Sequence, residues 1–387
     1  MFGRIWTLAL GAFAVGTSGY IVTGVLPELG TELSVPMSTA GLLTTSFALS
    51  YAVGAPPLAV ATSRWGRRPL IVGALLVAAL GNAFAALAPD FALLLTARIV
   101  TAVGAAVFTP AATAVAAELS GAERRAKASA LVFGGMTIAT IVGVPTGSLL
   151  VGPLGYRGVF WLVAACCGLA AVAVAVAVPS VAPPAKVTLR QRLAVAADGR
   201  VLATLGITLA ASLGVFTVYT YAAPVLSAAA GAAGGMLGML LFGYGIGGAV
   251  GNVVGGVAAD RFGYRAPLLL AVCGSVVMLS VLPVAGNPVA AGIVLILWGV
   301  SSWAFNPPVQ RRVIELAPES SGLLLSLNAS ALYLGIGLSG VVGGAVIDHA
   351  GIGAVAPVGA GLCLVAVVLH VASSRRAGRV AERVNAV

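Results

Sequence analysis

Long apolar runs separated by short breaks follow one another along the whole 387-residue chain. A helix that crosses a membrane needs about 20 mostly apolar residues. Dividing the pattern at its charged and Pro/Gly breaks predicts twelve such helices, over residues 5–27, 41–62, 70–88, 92–117, 128–151, 159–178, 201–224, 234–258, 267–284, 290–308, 322–345 and 354–372. No break is long enough to form a water-soluble domain. The longest, Pro179 to Arg200, holds Pro183-Pro184 and four basic residues. It divides the chain into an N-terminal six-helix bundle (1–178), a cytoplasmic linker (179–200), a C-terminal six-helix bundle (201–372) and a cytoplasmic tail (373–387).

Composition leads to the same class. The chain is 60% hydrophobic and 8% charged, with a mean hydropathy of +1.07. A soluble chain carries about a quarter charged residues, so this one reads as an all-α protein embedded in the lipid bilayer. The net charge of +10 does not point to nucleic acid, because the basic residues sit in the breaks and form no single face. With the N-terminus inside the cell, all but two of the 21 Lys and Arg residues fall on the cytoplasmic side. That bias predicts a multi-pass protein of the cell's inner (plasma) membrane with both termini cytoplasmic. The exceptions are Arg157, on the outer side, and Arg98, inside the fourth span. Cys166, Cys167, Cys273 and Cys363 all lie in apolar runs and read as small core residues, with neither a disulfide framework nor metal-ligand spacing. The first run has no small-residue cleavage site and reads as a span, not a removed leader.

The breaks contain an internal repeat. Ser63-Arg64-Trp65-Gly66-Arg67-Arg68 recurs 197 residues later as Asp260-Arg261-Phe262-Gly263-Tyr264-Arg265. The same shift pairs Pro27 with Pro224, Gly41 with Gly238, Pro110 with Pro307, Gly143 with Gly340 and Gly147 with Gly344. Six spans per half is an even number, so both halves enter from one side. The repeats are therefore parallel, with a substrate site expected between them near the midplane.

Three features carry candidate chemistry. The basic turns, comprising Arg64, Gly66, Arg67 and Arg68 after Ser63, and Arg261, Gly263 and Arg265 after Asp260, serve at least as anchors. An acid at a helix end can also accept hydrogen bonds or pair with Arg, and so latch one gating state. Arg98 lies about 10 Å below the outer surface at 1.5 Å per residue. A charge at that depth either snorkels or marks a functional site. Gly143-Val144-Pro145-Thr146-Gly147 gives the fifth span close packing at glycine and a bend at proline. It is an ordinary kink or a hinge at the contact between halves.

Polar and aromatic residues inside spans mark a candidate substrate path: Thr17 and Tyr20 in the first, Tyr219 and Tyr221 in the seventh, Trp303 and Asn306 in the tenth, Asn328 and Tyr333 in the eleventh. Together they describe an aromatic, weakly polar cavity for a fairly apolar, neutral or cationic small molecule. The eighth span has glycine at 243, 247, 251 and 255, a stripe suited to close helix contact. Its GxGxxG lies mid-membrane with no preceding strand and is not a dinucleotide site. No GxxxxGK[ST] occurs, so the chain reads as a non-enzyme without cofactor or metal, powering any transport without its own ATPase.

Gly256 to Arg265, the context of Arg98, the Gly143–Gly147 segment, Gly24-Val25-Leu26-Pro27-Glu28, Tyr219 to Pro224 and Trp298-Gly299-Val300 together resemble the major facilitator superfamily. Within it the chain is similar to the drug:proton antiporter branch, which includes sugar-efflux and chloramphenicol-exporter-like bacterial proteins. The resemblance covers essentially the whole chain. It implies efflux of a drug or sugar-like compound by alternating access, with proton antiport and a role in multidrug resistance. It also implies a cavity lined by the first, fourth, seventh and tenth spans, a proton-coupling role for Arg98, and a protein acting as a monomer. Two departures stand out. Ser63 replaces the acid of the first basic turn, leaving Asp260 to carry the latch. Gly19 stands where relatives carry a carboxylate, so proton coupling falls to Arg98 with Glu28 or Asp90 at the outer rim, or is altered or lost. A facilitator without tight proton coupling and a non-transporting membrane sensor remain the alternatives.

Overall fold

The computed structural model describes residues 2–62, 64–120, 125–179, 198–316 and 321–385. Ser63 lies outside them. All regular structure among the described residues is helical. Twelve membrane-spanning helices form two six-helix bundles. The first four spans are Phe2–Glu32, Met37–Ala61, Arg67–Leu87 and Phe91–Leu119. The fifth and sixth are the two limbs of Arg125–Ala177, broken at Gly155, whose φ of 65° suits glycine. The seventh is Gly199–Thr220, continued after a break at Tyr221 by Ala222–Ala230. The eighth and ninth are Gly234–Phe262 and Arg265–Val281. The tenth is Pro288–Ala304 continued by Asn306–Leu316, the eleventh Ser321–Ala350 and the twelfth Val355–Asn385.

The predicted spans all appear, with shifted ends. The first was expected to stop at Pro27 but runs on to Glu32. The helix tolerates the lost donor because Leu29 is fully buried in the next turn and holds it against the bundle. In the tenth, Pro307-Pro308 supplies no N–H groups, and the helix breaks at Phe305 just before them. Among the described residues, ten helical stretches are long and apolar enough to cross a membrane by composition, and the 47-residue one, Leu131–Ala177, contains two spans. The second span buries Thr44 and Thr45, and Thr45 faces Gly340 of the eleventh span. The linker side of the seventh span is capped by Asp198, which accepts from the Arg200 backbone N–H at 2.7 Å. The Arg200 side chain pairs with it at 3.1 Å and holds its carboxyl below the usual range.

Exposed apolar side chains mark the surfaces turned to lipid. Leu76, Leu80, Phe84 and Leu87 of the third, Leu169, Val172 and Val176 of the sixth, Leu270 and Val277 of the ninth, and Leu364, Val365 and Val368 of the twelfth are exposed apolar residues. Met239, Val253 and Val257 of the eighth span and Val289 and Ile293 of the tenth are exposed as well, while the remaining faces of the helices pack on one another. Close packing there depends on small residues, since lipid tails remove most of the hydrophobic drive between helices. A Cβ on Gly247, Gly251 or Gly255 would overlap the carbonyl oxygens of Ile296, Val300 and Ala304 respectively. The glycine stripe thus sets the eighth span backbone-to-backbone on the tenth.

An even number of spans brings both chain ends to one face of the bundle, the terminal face; the other is the far face. The halves meet along two seams, second span to eleventh and fifth span to eighth. Both seams lie in the far-face parts of these helices. Gly41 and Gly340 approach in the first, and a Cβ on Gly238 would meet Leu149 at 2.9 Å in the second. The internal repeat interchanges the seams, pairing Gly41 with Gly238 and the Gly143–Gly147 segment with Gly340–Gly344.

Candidate functional site

Toward the terminal face the halves part and leave a cavity of about 420 Å³. Its roof is aromatic. Tyr51 of the second span and Tyr333 of the eleventh stack across the halves with centroids 3.8 Å apart, and Tyr20 of the first lies 6.2 Å from Phe216 of the seventh. Above the roof, a crevice between Gly19, Phe47 and Tyr219 has a volume of about 10 Å³, room for about one water. Below the roof, the first half contributes Thr109, Thr137 and Thr140 and the second contributes Asn252, Trp303, Asn306, Gln310 and Asn328. The lower lining residues come from the terminal-face ends of the tenth and eleventh spans and the start of the fifth, so the cavity opens on the terminal face.

Five of the eight residues predicted for the substrate path therefore come together: Tyr20, Trp303, Asn306, Asn328 and Tyr333. Three do not. Thr17 packs beside Gly143, where a Cβ would meet its Cα at 3.3 Å. Tyr219 belongs to an aromatic core inside the second half, 4.7 Å from Tyr244, which lies 4.7 Å from Trp298. Tyr221 sits at the far-face end of a seam. The expectation that the seventh span lines the cavity is corrected accordingly: its aromatic side chains close the site from above. Tyr51, Asn252 and Gln310 went unnoticed in the sequence, although a polar group inside an apolar run is the signal that marked Asn306 and Asn328.

Arg98 does not snorkel. It is fully buried and turned onto the first span, donating from Nη1 to the Ser18 carbonyl at 2.7 Å and from Nη2 to the Gly19 carbonyl at 3.3 Å. Its guanidinium lies 4.5 Å from the Phe47 ring centroid, and Nε has no partner. The same turn of the first span is held by Asn82, which donates to the Ser18 hydroxyl at 2.8 Å. The ion pairs among the described residues join Arg157 to Glu32, Arg200 to Asp198 and Arg311 to Glu315, so none reaches Arg98. Glu28 is exposed at the far-face end of the first span. Asp90 caps the fourth, accepting from the Leu93 N–H at 2.8 Å.

The segment Gly143, Pro145 and Gly147 lies between the first and eighth spans. A Cβ on Gly147 would press Ile21 at 3.0 Å, and one on Gly245 would meet the Ile141 Cα at 2.5 Å. The expected latch at Asp260 is not closed. Asp260 is exposed and takes part in none of the ion pairs above. It stands on the face where the halves have parted. The basic turns are tied within their own halves. Arg68 donates to the Ala175 carbonyl and Arg311 to the Ala259 carbonyl, while Arg265 reaches the Tyr264 hydroxyl at 3.4 Å. Arg64 and Arg261 are exposed, Arg67 begins the third span, and Gly263 turns the chain at φ 73°.

A family profile described as Major Facilitator Superfamily matches residues 8–205 and 204–385, the two halves in turn. The chain belongs to the major facilitator superfamily. Among its relatives is the inner membrane transport protein YdhP of Escherichia coli K12, 34% identical over 348 residues that cover 89% of each chain. Another is a chloramphenicol resistance protein of Streptomyces lividans, 33% identical over 375 residues and 95% of each chain. The fold matches a crystal structure of a bacterial homologue of the human lysosomal transporter Spinster, in an inward-facing and occupied conformation, with a TM-score of 0.77, 19% identity and 96% of each chain covered. Membership of the superfamily makes this an integral membrane protein of a transporter family.

Proposed function

We propose that this protein exports a small, fairly apolar compound, a drug or sugar-like molecule, by alternating access in exchange for protons. The observation that carries the reading is the cavity between the halves, open on the terminal face and roofed by Tyr20, Tyr51 and Tyr333. The concentration of Lys and Arg in the terminal-face breaks supports a cytoplasmic position for that face, from which the open cavity would receive its substrate inside the cell. Rocking of the two bundles, residues 1–178 and 201–372, about the glycine seams then presents it outside. The chloramphenicol resistance protein among the relatives supports export over uptake. The protein works as a monomer, since each chain contains both halves of the site.

Proton antiport assigns Arg98 the central role, with Glu28 or Asp90 as proton carrier. A second reading, facilitated movement without tight coupling, is favoured by one observation: Arg98 is held by backbone carbonyls in place of a carboxylate. Uptake into everted vesicles with and without a proton gradient separates the two. Accumulation that collapses when the gradient is removed supports antiport. Equilibration at the same rate in both conditions replaces it with the facilitator, and no flux for a broad compound panel leaves only a sensor.

A further inference from the structure

We propose that the cavity admits only uncharged substrates and excludes both lipophilic cations and organic anions. This rests on the export reading and names the substrate class of the same site.

Among the described residues, no Asp, Glu, Lys, Arg or His side chain lines the cavity. Its polar groups are carboxamides, threonine hydroxyls, phenols and one indole. An ion taken from water into such a lining loses its hydration and meets no opposite charge, whereas an uncharged molecule loses far less. Aromatic faces can substitute for a carboxylate in binding a cation, but the rings of the roof are already engaged with one another. The Tyr51 and Tyr333 rings lie on each other, and Tyr20 is stacked with Phe216. Trp303 is packed against the eighth span, where a Cβ on Gly248 would meet its ring at 2.7 Å. Anions fare no better. The buried cation nearest the roof, Arg98, is bonded to the Ser18 and Gly19 carbonyls and covered by Phe47, and it does not reach the cavity.

The lining is also one-sided. All four carboxamides, Asn252, Asn306, Gln310 and Asn328, come from the second half. At Asn328 the Thr208 hydroxyl donates to Oδ1 at 2.7 Å, which leaves the amide NH₂ to donate to a substrate oxygen. The class that fits is an uncharged molecule with a ring or aliphatic body on one side and carbonyl, nitro or hydroxyl oxygens on the other. At 420 Å³ the site has the volume of an ordinary small-molecule pocket.

Equilibrium binding to the purified full-length protein tests this with radiolabelled probes: uncharged chloramphenicol and isopropyl thiogalactoside, the permanent cation tetraphenylphosphonium, and the anionic succinate ester of chloramphenicol. The expected result is binding of at least one uncharged probe, with both ions at least tenfold weaker. Asn328→Asp is expected to raise tetraphenylphosphonium affinity at least tenfold and to weaken the uncharged probe; Asn252→Asp carries the same test should the first variant fail to fold. A preference of less than tenfold, binding of no uncharged probe, or an unchanged order of affinities in both variants overturns the proposal. An uncharged probe that binds but does not move into everted vesicles refutes export and leaves the selectivity standing.

Discussion

The Tyr221 hydroxyl donates to the Gly340 carbonyl at 2.6 Å and reaches the Ser38 carbonyl at 3.4 Å, so one phenol touches both halves where they close on the far face. The repeat places Gly24 at the corresponding position of the first half, so the second seam has no such bond. Removing a hydrogen bond of this kind costs about 1 kcal/mol, a factor of about five in an equilibrium. Tyr221→Phe is expected to shift the protein toward the far-face-open state by that factor. Labelling of a cysteine introduced at Met37 with a membrane-impermeant reagent measures it; an unchanged labelling rate counts against a gating role for the phenol.

Arg98 ties the fourth span to the first through two carbonyls, a geometry that uses two nitrogens of one planar fork. A lysine keeps the charge but offers a single compact donor group. Arg98→Lys is expected to lower the export rate at least tenfold, and Arg98→Ala to abolish export and to lower stability by about 2–4 kcal/mol through the lost packing and hydrogen bonds. Vesicle transport paired with thermal unfolding in detergent reads both effects. Normal export by the alanine variant removes Arg98 from the mechanism.

Gly24 lies against the Val144 carbonyl, and a Cβ there would also meet the Ser148 backbone nitrogen at 2.9 Å, whereas a Cβ on Gly73 meets nothing within 4 Å. Gly24→Ala forces the first span off the fifth, at a cost of about 1–3 kcal/mol for an overpacked contact. Gly73→Ala is expected to match the wild type within about 0.5 kcal/mol. Equal melting temperatures for the two variants contradict a tight joint at this segment.

Asp260 is exposed and outside the ion pairs of the described residues in the terminal-face-open state, so a latch made by Asp260 would belong to the opposite state. Asp260→Asn is expected to leave the thermal stability of the open state unchanged while lowering the turnover of export severalfold. Ser63→Ala, in the first copy of the turn, is expected to have the smaller effect. Equal losses from the two substitutions argue against a latch centred on Asp260.

The architecture was readable because hydropathy reports depth in the bilayer, and the 197-residue shift reports which spans correspond. Direction around each helix was not. A helix that is apolar on all sides carries little sign of which face meets a cavity, a neighbour or lipid. That is why Asn328 and Trp303 line the cavity while Tyr219, in the same kind of run, is core, and why Tyr51 lines it without having stood out in the sequence. Arg98 stood out as an intramembrane charge, but backbone carbonyls hold it, and no residue type marks a carbonyl in advance. The state of the Asp260 turn depends on which face is open, and that is a property of the conformation.

The two glycine seams lie on opposite sides of the cavity and define a line across the molecule. Any rocking of the halves turns about that line as about a fulcrum. Asp260 stands fifteen residues below Gly245 on the same helix, a lever arm of about 22 Å at 1.5 Å per residue. The aromatic roof, close to the fulcrum, shifts little for a rotation that sweeps the basic turns widely. Under the proposed rocking, such glycine-lined seams would give the protein mechanical advantage: adjustments of a few tenths of an ångström around a bound molecule would be magnified at the terminal face.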